Sequence, residues 1–484
     1  MDALREERIK KLNSLQNAGI DAYPPRIKRD FEINLVISDF DKFIKAKKKI
    51  SLVGRLVGLR VQGALFFADL KDESGKIQIL GKKDNLKNFD IFKDTIDIGD
   101  FIEVSGIPFV TKRGEKSLEA KSIRIIVKSL RPIPSDWYGI SDIELRLRKR
   151  YLDILASAEI KELFKKKSIF WATFRDELKK EGFLEVETPI LETTPGGADA
   201  EPFKTHHNAL DTDFYLRISL EISLKKLLVA GYEKVFEIGR IFRNEGIDAE
   251  HLQDYTQIEF YWAYKDYNDL MKFIEPLYKK IIKNTFGSLK TEWHGQKIDW
   301  GKKWPKISYY DLFREKLGID LEKASTADLE KKVRILNLKI ETNSNRGRLI
   351  DVLFKTIRKE IIQPVFLIDQ PAELEPLAKR NPASPHKVER MQIIACGTEL
   401  GKGFSEANDP LDQRARFEEQ MKMREAGDKE AQMLDEEFLE ALEYGMPPTA
   451  GFGISERLFA VLADKPIREC VFFPLMKRAP KKED

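Results

Sequence analysis

Five short runs of alternating apolar and polar residues lie between residues 50 and 127, and they constrain the fold more than any other feature. Alternation with period two gives a strand one face that enters a core and one face that meets solvent. Turn-forming clusters separate the runs, such as Asp72-Glu73-Ser74-Gly75 and Lys112-Arg113-Gly114. Short strands at this spacing predict a small closed barrel. The runs are SLVGRLVGLRV, ALFFADLKD, GKIQIL, DFIEVSGIPFV and SLEAKSIRIIV.

An exposed aromatic ring on this barrel would make it a platform for nucleic acid. Phe66 and Phe67 are neighbours in one predicted strand, so their rings point to opposite faces and one must lie outside. A base can stack on such a ring, and Arg60, Gln78 and Glu115 could supply hydrogen bonds around it. A five-stranded barrel of this kind is typical of the OB-fold. Exposed phenylalanines are also common on proteins that bind no nucleic acid, and this alternative stays open.

The rest of the chain alternates helical and strand-like segments, which predicts a second and larger domain. Prolines and a glycine precede a basic run at 146–150, and this composition predicts a hinge. We therefore predict an α+β protein with an N-terminal helix and barrel in residues 1–130, a hinge in 131–151 and a second domain in 152–484. The predicted strands of one large sheet in the second domain are FYLRIS, KVFEIGRIFR, QIEFYWAY, MQIIACGTELG and CVFFPL. The predicted helices cover residues 156–180, 220–230, 266–284, 346–361 and 409–443.

Charge and cysteine content exclude several classes of protein. The chain has 484 residues, and its 84 Lys and Arg residues nearly balance 80 Asp and Glu residues. The two cysteines, Cys396 and Cys470, are too few for a disulfide framework or a Cys-rich zinc site, so no zinc is expected. No apolar run reaches the ~18 residues that would span a bilayer, and the charged N-terminus lacks an export signal. These features predict a cytoplasmic protein with no membrane partner.

The stretch from residue 236 to residue 264 reads as a strand, a charged loop and a returning strand. Arg243, at the end of the first strand, could hold a phosphate through its planar guanidinium. Glu245 could accept a hydrogen bond from an adenine amino group, and His251 in the loop could meet a terminal phosphate. These residue types indicate a nucleotide site near the loop.

The returning strand carries Tyr255, Gln257, Glu259 and Tyr261 on one face, because side chains alternate along a strand. Two aromatic rings and two polar acceptors on one face favour a ligand pocket over a core. An antiparallel hairpin held by salt bridges would also explain the stretch on its own.

Two further segments carry residue types that suit ligand chemistry. Glu399, Glu406 and Asp409 lie near a glycine-rich bend and could bind a divalent cation or an ammonium group. A Gly-Phe-Gly sequence before Arg457 allows close backbone approach to a ligand. The chain contains no Gly-x-x-x-x-Gly-Lys-Ser/Thr loop, no dinucleotide fingerprint after a strand and no plausible nucleophilic triad. We therefore expect chemistry by substrate positioning and charge neutralisation, with no protein nucleophile.

Longer segments of the chain resemble the class II aminoacyl-tRNA synthetases, and within that class the lysyl branch. Residues 181–191 (EGFLEVETPIL) resemble motif 1 of the class, residues 240–264 resemble motif 2, and the segment through Arg457 resembles motif 3. The matches specific to the lysyl branch are QNAGIDAYPP, FFADLKDESGKIQ and TPGGADAEPFKTHHNALDTDFYLRISLEISLKKL. The resemblance implies a five-stranded OB-fold domain that binds the anticodon. It also implies a class II catalytic domain in which helices flank an antiparallel sheet.

The same resemblance implies an activity and its partners. The activity is ATP-dependent attachment of L-lysine to tRNA(Lys) through a lysyl-adenylate, for translation, with pyrophosphate and AMP as products. Mg²⁺ accompanies ATP as the implied cofactor. Two chains would form a homodimer through the motif 1 region around Pro189.

Roles for individual residues also follow from the resemblance. Arg243 would steady the α-phosphate and Arg457 would cover the other side of the nucleotide, which makes both catalytic. The implied ATP-binding residues are Arg243, Glu245, His251, Tyr255, Glu399 and Arg457, and Glu399 would also hold Mg²⁺. The implied lysine-binding residues are Gly197, Glu221, Glu259, Tyr261, Phe404 and Glu406. Phe67 would stack on the anticodon with Arg60, Gln78 and Glu115 around it, and Phe66 would face the interior.

Three positions depart from the family pattern. Gln392 stands at the metal site where the family usually has a second glutamate, and motif 3 is one residue short. Lys402 stands in the lysine-binding set in place of an asparagine, and its ammonium could pair with Glu221, Glu259 or Glu406 and compete with the substrate, or could instead neutralise phosphate charge. These departures keep open a non-catalytic or altered-specificity paralogue. An aspartyl- or asparaginyl-tRNA synthetase is disfavoured, because three carboxylates in one pocket suit an ammonium group.

Overall fold

The computed structural model describes residues 2–133, 142–246, 251–340, 345–428 and 430–477. The chain divides into two compact units, residues 1–141 and residues 142–484. Within the described ranges, none of the helices has the length and apolar character that a membrane crossing requires.

The first unit contains the barrel that the alternating runs predict. Its strands are β1 (Ile50–Gln62), β2 (Leu65–Lys71), β3 (Lys76–Lys82), β4 (Phe101–Val110) and β5 (Lys116–Val127). Its helices are α1 (Asp2–Asn17), α2 (Ile33–Ser38), α3 (Phe40–Ala46) and α4 (Phe89–Thr95). The strands close in the order β1-β2-β3-β5-β4, with β3 and β5 parallel and the other described pairs antiparallel. The predicted five-stranded barrel is confirmed.

The two adjacent phenylalanines of β2 point to opposite faces of the barrel wall. Phe66 is 1% exposed and stacks against Phe89 and Phe92 of α4, with ring centroids 5.7 and 5.3 Å away. Phe67 is only partly buried. The expectation that Phe66 faces the interior is therefore confirmed, and the ring of Phe67 is left on the outer face.

The second unit is built around one large sheet. Its helices are α5 (Ile143–Arg148), α6 (Arg150–Ala156), α7 (Ala158–Lys180), α8 (Glu221–Val229), α9 (Tyr267–Phe286), α10 (Tyr309–Leu317), α11 (Thr326–Ile335), α12 (Arg346–Ile357), α13 (Pro410–Glu425), α14 (Glu436–Glu443) and α15 (Arg457–Leu462). Its first strands are β6 (Leu184–Glu185), β7 (Leu191–Glu192), β8 (Lys204–His207), β9 (Thr212–Leu216), β10 (Lys234–Phe242), β11 (Asp254–Ala263), β12 (Lys290–Trp293) and β13 (Gln296–Asp299). Its later strands are β14 (Lys306–Ser308), β15 (Val365–Ile368), β16 (Arg380–Asn381), β17 (Ser384–Val388), β18 (Arg390–Ala395), β19 (Thr398–Ser405) and β20 (Thr449–Ser455).

The large sheet has the strand order β14-β15-β18-β19-β20-β11-β10-β6 and is antiparallel except at its two edge pairs. On one face, α7 and α9 bury Phe170 and Tyr278 against Phe260 of β11. On the other face, α8 and α14 pack around Tyr261 of β11 and Phe404 of β19. Neighbouring residues of β11 thus enter different cores, which confirms an antiparallel sheet flanked by helices.

Four details of the predicted second domain are corrected. MQIIACGTELG is not one strand, because it turns back at Cys396 and Gly397 and contributes to two antiparallel strands, β18 and β19. FYLRIS forms β9, which pairs with β7 and β8 in a separate small sheet and not in the large one. CVFFPL forms no strand; within it, Phe472 stacks on Phe164 of α7 at 3.9 Å, and Phe473 and Leu475 are exposed. The predicted helix 409–443 is two helices, α13 and α14.

The segment predicted as a hinge is not a uniform linker. Residues 134–141 lie outside the described residues. After them, the Asp142 carboxylate caps α5 by accepting hydrogen bonds from two backbone N–H groups. Arg150 of α6 is buried and pairs with Asp153 at 2.5 Å. Residues 142–156 are therefore helical and belong with the second unit.

Candidate active site

A cavity of about 360 Å³ lies over the centre of the large sheet, lined by the strands β11, β18, β19 and β20 and by α8 and α12. It brings together residues from four distant parts of the sequence. The predicted site residues that line it are Gly197, Glu221, Arg243, Tyr255, Glu259, Tyr261, Gln392, Glu399, Lys402, Phe404, Glu406 and Arg457. Glu245 and His251 do not line it, and residues 247–250 between them lie outside the described residues.

The floor of the cavity is one face of β11. Tyr255, Gln257, Glu259 and Tyr261 all line it, as the alternation along this strand predicts. The neighbouring strand β20 places Gly451 opposite Tyr261. A Cβ at Gly451 would lie 2.1 Å from Oε1 of Glu406, so a side chain there would collide with the cavity wall.

Two arginines from different elements lie near Tyr255. The guanidinium of Arg243, just after β10, lies 5.8 Å from the ring centroid of Tyr255, and its Nε donates to the carbonyl of Ile218 (3.3 Å). Arg457 begins α15 directly after β20. Burial raises the pKa of Tyr255, while Arg243 and Arg457 oppose that shift. This part of the cavity is therefore cationic with a neutral aromatic ring between the charges.

A buried ion pair holds the start of α15 in place. Glu456, which precedes Arg457, is fully buried and contacts the ammonium of Lys167 from α7. Its other oxygen accepts a hydrogen bond from the backbone N–H of Thr256 (3.2 Å). Glu456 thus ties α15 to the β11 residue next to Tyr255.

Three carboxyl groups meet at the end of the cavity that lies away from Tyr255 and the two arginines. Glu259 accepts hydrogen bonds from Ser219 Oγ (2.6 Å) and Tyr261 Oη (2.9 Å), all from neutral donors. Glu221 and Glu406 instead share the ammonium of Lys225, which lies 2.5 Å from Glu221 Oε1. Burial raises the pKa of Glu221 to about 7 and that of Glu406 well above its usual value, although Lys225 opposes both shifts.

Lys402 does not pair with the carboxylates expected for it. Its Nζ lies 3.4 Å from Oε2 of Glu375, and Arg390 Nε lies 3.2 Å from the same oxygen. Although burial alone would raise the pKa of Glu375, these two cations hold it below its usual value. The expected pairing fails because Lys225 already occupies the space between Glu221 and Glu406.

Glu399 and Gln392 are neighbours, as the predicted metal site requires. The Gln392 amide nitrogen donates to Glu399, and its oxygen accepts from Gln370 Nε2 (2.9 Å). Burial alone would raise the pKa of Glu399, but Arg390 and Lys402 hold it below its usual value. Within the described residues, no group of three His, Cys, Asp or Glu side chains could hold a metal ion.

Asp409 lies outside this site. Its carboxylate caps α13 by accepting from the backbone N–H groups of Leu411 and Asp412. The suggestion that it binds a cation is therefore replaced by a helix-capping role.

On the barrel, three of the predicted anticodon residues lie on the adjoining strands β1, β2 and β3, and the fourth precedes β5. Arg60 of β1 is the direct cross-strand partner of Phe67. Gln78 of β3 pairs with Ser117 of β5, whose hydroxyl donates to the Gln78 side chain (3.1 Å). Glu115 is exposed just before β5. A ring with polar and charged neighbours on an outer barrel face suits base stacking.

Comparison with known proteins identifies both units. Residues 50–126 match the OB-fold nucleic acid binding domain, and residues 142–477 match the class II tRNA synthetases (D, K and N). The chain is 43% identical over 484 residues to the lysine–tRNA ligase of Roseiflexus sp. (strain RS-1), covering 99% of each chain. The chain belongs to the lysine–tRNA ligase family. The lysine–tRNA ligase of Thermotoga maritima is 42% identical over 486 residues, 99% of this chain and 96% of that one. That of Moorella thermoacetica is 42% identical over 482 residues, 98% of each.

Several charged residues of the site were not predicted from the sequence; among them, Glu375 and Arg390 line the cavity, and Lys225 is buried against its lining residues. Lys225, Glu375 and Arg390 each form buried ion pairs with predicted site residues or with one another. The i,i+4 spacing of Glu221 and Lys225 on a predicted helix was a usable signal, since such residues face each other. Glu375 gave no signal, because it lies in an irregular segment whose approach to β18 depends on the tertiary fold.

Proposed function

We propose that this chain joins L-lysine to tRNA(Lys) in two steps within the cavity over the sheet. In the first step, a carboxylate oxygen of lysine bonds to the α-phosphorus of ATP, and pyrophosphate leaves. In the second step, a ribose hydroxyl at the tRNA 3′ end bonds to the lysyl carbonyl carbon, and AMP leaves. The hydroxyl proton passes to the released products or to solvent, and no protein nucleophile takes part.

The observation that carries this proposal is the order of charges along the floor of the cavity. Arginines lie beside Tyr255, and carboxyl groups gather around Tyr261 of the same strand. At ~3.3 Å per residue, the six steps along β11 from Tyr255 to Tyr261 span ~20 Å. A nucleotide phosphate and a cationic amino acid can therefore occupy adjoining parts of one cavity.

At the nucleotide end, the fixed cations supply the chemistry. Arg243 would hold the α-phosphate as negative charge develops there, and Arg457 would lie on the other side of the nucleotide. Such preorganised charges stabilise a transition state without reorganisation at the moment of reaction. Tyr255 would stack on adenine, Glu245 would accept from its amino group and His251 would meet the outer phosphates.

At the amino-acid end, carboxylates replace the water around the substrate ammonium groups. A buried ammonium needs charged or hydrogen-bonded partners, and Glu221, Glu259 and Glu406 supply them. The hydroxyl of Tyr261 stays protonated because burial raises its pKa well above its usual value, and this hydroxyl donates a hydrogen bond to Glu259. Gly197 and Phe404 would shape the pocket walls. Lys402, which pairs with Glu375, would add positive charge on the side of the cavity that binds the phosphates.

The donor set at Glu399 fits a magnesium ion that is bound mainly by ATP. Mg²⁺ usually takes one or two protein carboxylates together with phosphate oxygens and water. Glu399 would provide one carboxylate oxygen, and Gln392 would hold that carboxylate in place through its amide. When bound, Mg²⁺ neutralises phosphate charge; Arg390 and Lys402 contribute fixed positive charge to the same region.

We propose that the first unit contains the anticodon-binding domain predicted for residues 1–130 and that the second unit is the catalytic domain, which then includes residues 142–151 of the predicted hinge as well as residues 152–484. Phe67 would stack on an anticodon base, with Arg60, Gln78 and Glu115 contacting its edge. This division would let one unit select the tRNA while the other performs the reaction in the cytoplasm, where translation takes place.

We also propose a homodimer formed through the segment around Pro189. Pro189 is exposed, and Leu184, Ile190 and Leu191 beside it are 47%, 43% and 46% exposed. An exposed apolar patch of this kind is typical of an interaction surface. Light scattering on the purified chain should give twice the chain mass of 56.0 kDa; a monomer at all concentrations would refute this part.

The test of the proposed reaction uses ATP, labelled lysine and tRNA(Lys). The chain should produce lysyl-tRNA and AMP, and without tRNA it should support only lysine-dependent exchange of pyrophosphate into ATP. Glu406→Gln should lose the exchange, whereas Glu437→Gln, which alters an exposed carboxylate paired with Lys226, should retain it. Absence of both exchange and charging in the wild type would contradict the proposal.

A further inference from the structure

Two carboxylates that line the pocket for the amino acid, Glu221 and Glu406, are already paired with a buried lysine ammonium of the protein. Lys225 of α8 is 0% exposed, and its Nζ contacts both Glu221 and Glu406. The same nitrogen lies 5.4 Å from the ring centroid of Phe404 and 5.9 Å from that of Phe438. Two carboxylates and two aromatic faces therefore enclose it, which leaves it no path to solvent.

The charged groups around Lys225 come from three directions. Its own helix contributes Glu221, and β11 contributes Glu259 and Tyr261. From β19 and the residues around it come Lys402, Glu406 and, farther away, Glu375. Of the other elements packed on α8, α14 presents Phe438 towards Lys225 and the exposed carboxylate of Glu437 towards Lys226, and β10 presents the apolar Val235 and Ile241.

The balance of these charges matches a diammonium ligand. Glu221, Glu259 and Glu406 carry three negative charges when ionised, and Lys225 cancels one. Two remain, which equals the number of ammonium groups in lysine, at its α and ε positions; the carboxylate of lysine would face the cationic nucleotide end of the cavity. Glu259 has only neutral donors among its described partners, so it is available to a substrate cation.

We infer that Lys225 is a positioning residue that holds Glu221 and Glu406 in place and keeps them ionisable, so that the pocket selects an amino acid with two ammonium groups. This inference rests on the proposed function. Without the Lys225 ammonium, the buried carboxyl groups of Glu221 and Glu406 would retain protons, because burial and mutual repulsion both favour the neutral form. The raised pKa values of Glu221 and Glu406 are consistent with this balance.

Two variants and one matched control test the inference. Lys225→Met and Lys225→Gln remove the charge, and Gln keeps a hydrogen-bond donor in case Met prevents folding. Lys226→Met alters the next residue of the same helix, whose ammonium pairs with exposed Glu437 (2.8 Å) instead of the pocket. Lysine-dependent pyrophosphate exchange is measured between about pH 6 and pH 9, with KM determined for lysine and for ATP.

Both Lys225 variants should raise KM for lysine by about tenfold or more, as the loss of one partner of a buried charge pair implies. KM for ATP should stay unchanged. The acidic limb of the kcat/KM profile for lysine should move upward by about one pH unit, because an opposite charge within contact distance lowers a carboxyl pKa by that amount or more. Lys226→Met should match the wild type.

Calorimetry on the wild type gives a test that needs no variant. Lysine binding, followed in two buffers of different ionisation enthalpy, should release protons near neutral pH, because bound ammonium groups favour ionised Glu221. Unchanged lysine kinetics in both variants, parallel losses for lysine and ATP, or no proton release would overturn the inference. Absence of lysine-dependent exchange in the wild type would instead refute the proposed function on which the inference rests.

Discussion

Gly451 gives the sharpest test of where the amino-acid end of the cavity lies. Gly451 of β20 is the direct cross-strand partner of Tyr261 on the neighbouring strand β11. A Cβ placed on Gly451 would lie 2.1 Å from Glu406 Oε1 and 2.4 Å from Tyr261 Cε1. Carbon contacts normally lie at about 3.5–4.0 Å, so Gly451→Ala must displace one of these side chains by about 1 Å or more.

Displacement of this size in a binding site costs about 10²-fold in activity. We therefore expect kcat/KM for lysine to fall by about that factor in Gly451→Ala, and overpacking to destabilise the fold by about 1–3 kcal/mol. KM for ATP should not change, because the nucleotide end lies farther along β11. The assay is lysine-dependent pyrophosphate exchange, together with thermal unfolding to follow stability.

Gly453→Ala is the matched control for this prediction. Gly453 is two residues away on the same strand, and a Cβ there would lie 3.4 Å from Glu259 Cγ, an ordinary contact. It should retain most of the wild-type activity. Wild-type lysine kinetics in Gly451→Ala, or equal losses in the two variants, would refute the placement of the lysine pocket beside Glu406 and Tyr261.

Three further predictions concern other parts of the molecule. Arg243→Ala should abolish pyrophosphate exchange, whereas Arg240→Ala, which removes an exposed guanidinium paired with Asp254, should not; comparable rates would contradict the phosphate role. Phe67→Ala should weaken tRNA charging but spare lysine activation, and equal loss of both would make the barrel merely structural. Lys167→Met should lower the unfolding free energy by about 3–5 kcal/mol, because it leaves buried Glu456 without its cation, and an unchanged melting temperature would refute that.

The β-rich part of the fold was predictable because its information is local. Alternation over residues 50–127 identifies the five barrel strands, and adjacency of Phe66 and Phe67 already requires one ring inside and one outside. The same rule placed Tyr255 and Tyr261 on one face of β11. The alternation in the sequence matches the structure because each of these strands packs one face in a core and turns the other face to solvent or to the cavity.

The errors arise where tertiary packing decides the outcome. FYLRIS and CVFFPL have strand-like composition, yet one joins a small separate sheet and the other forms no strand and stacks Phe472 on α7. Local sequence does not reveal which partner an apolar segment will find. The break between α13 and α14 was similarly missed within one long polar stretch.

In the site, the residue types were predictable and their pairing was not. The resemblance to a family indicated Glu221, Glu406 and Lys402 as members of one pocket, and the cavity contains all three. The partner of each depends on Lys225 and Glu375, which reach the pocket from a helix turn and an irregular segment. Competition between two ammonium groups for the same carboxylates is decided by distance and burial in the folded chain.

The most direct test of the central claim is pyrophosphate exchange with each of the twenty amino acids, measured on the purified chain. We expect exchange with lysine alone, because only lysine brings a second ammonium group on an unbranched side chain to the carboxylates around Tyr261. Exchange with aspartate, asparagine or another amino acid in place of lysine would contradict the proposed activation of lysine, and so would the absence of exchange with all twenty.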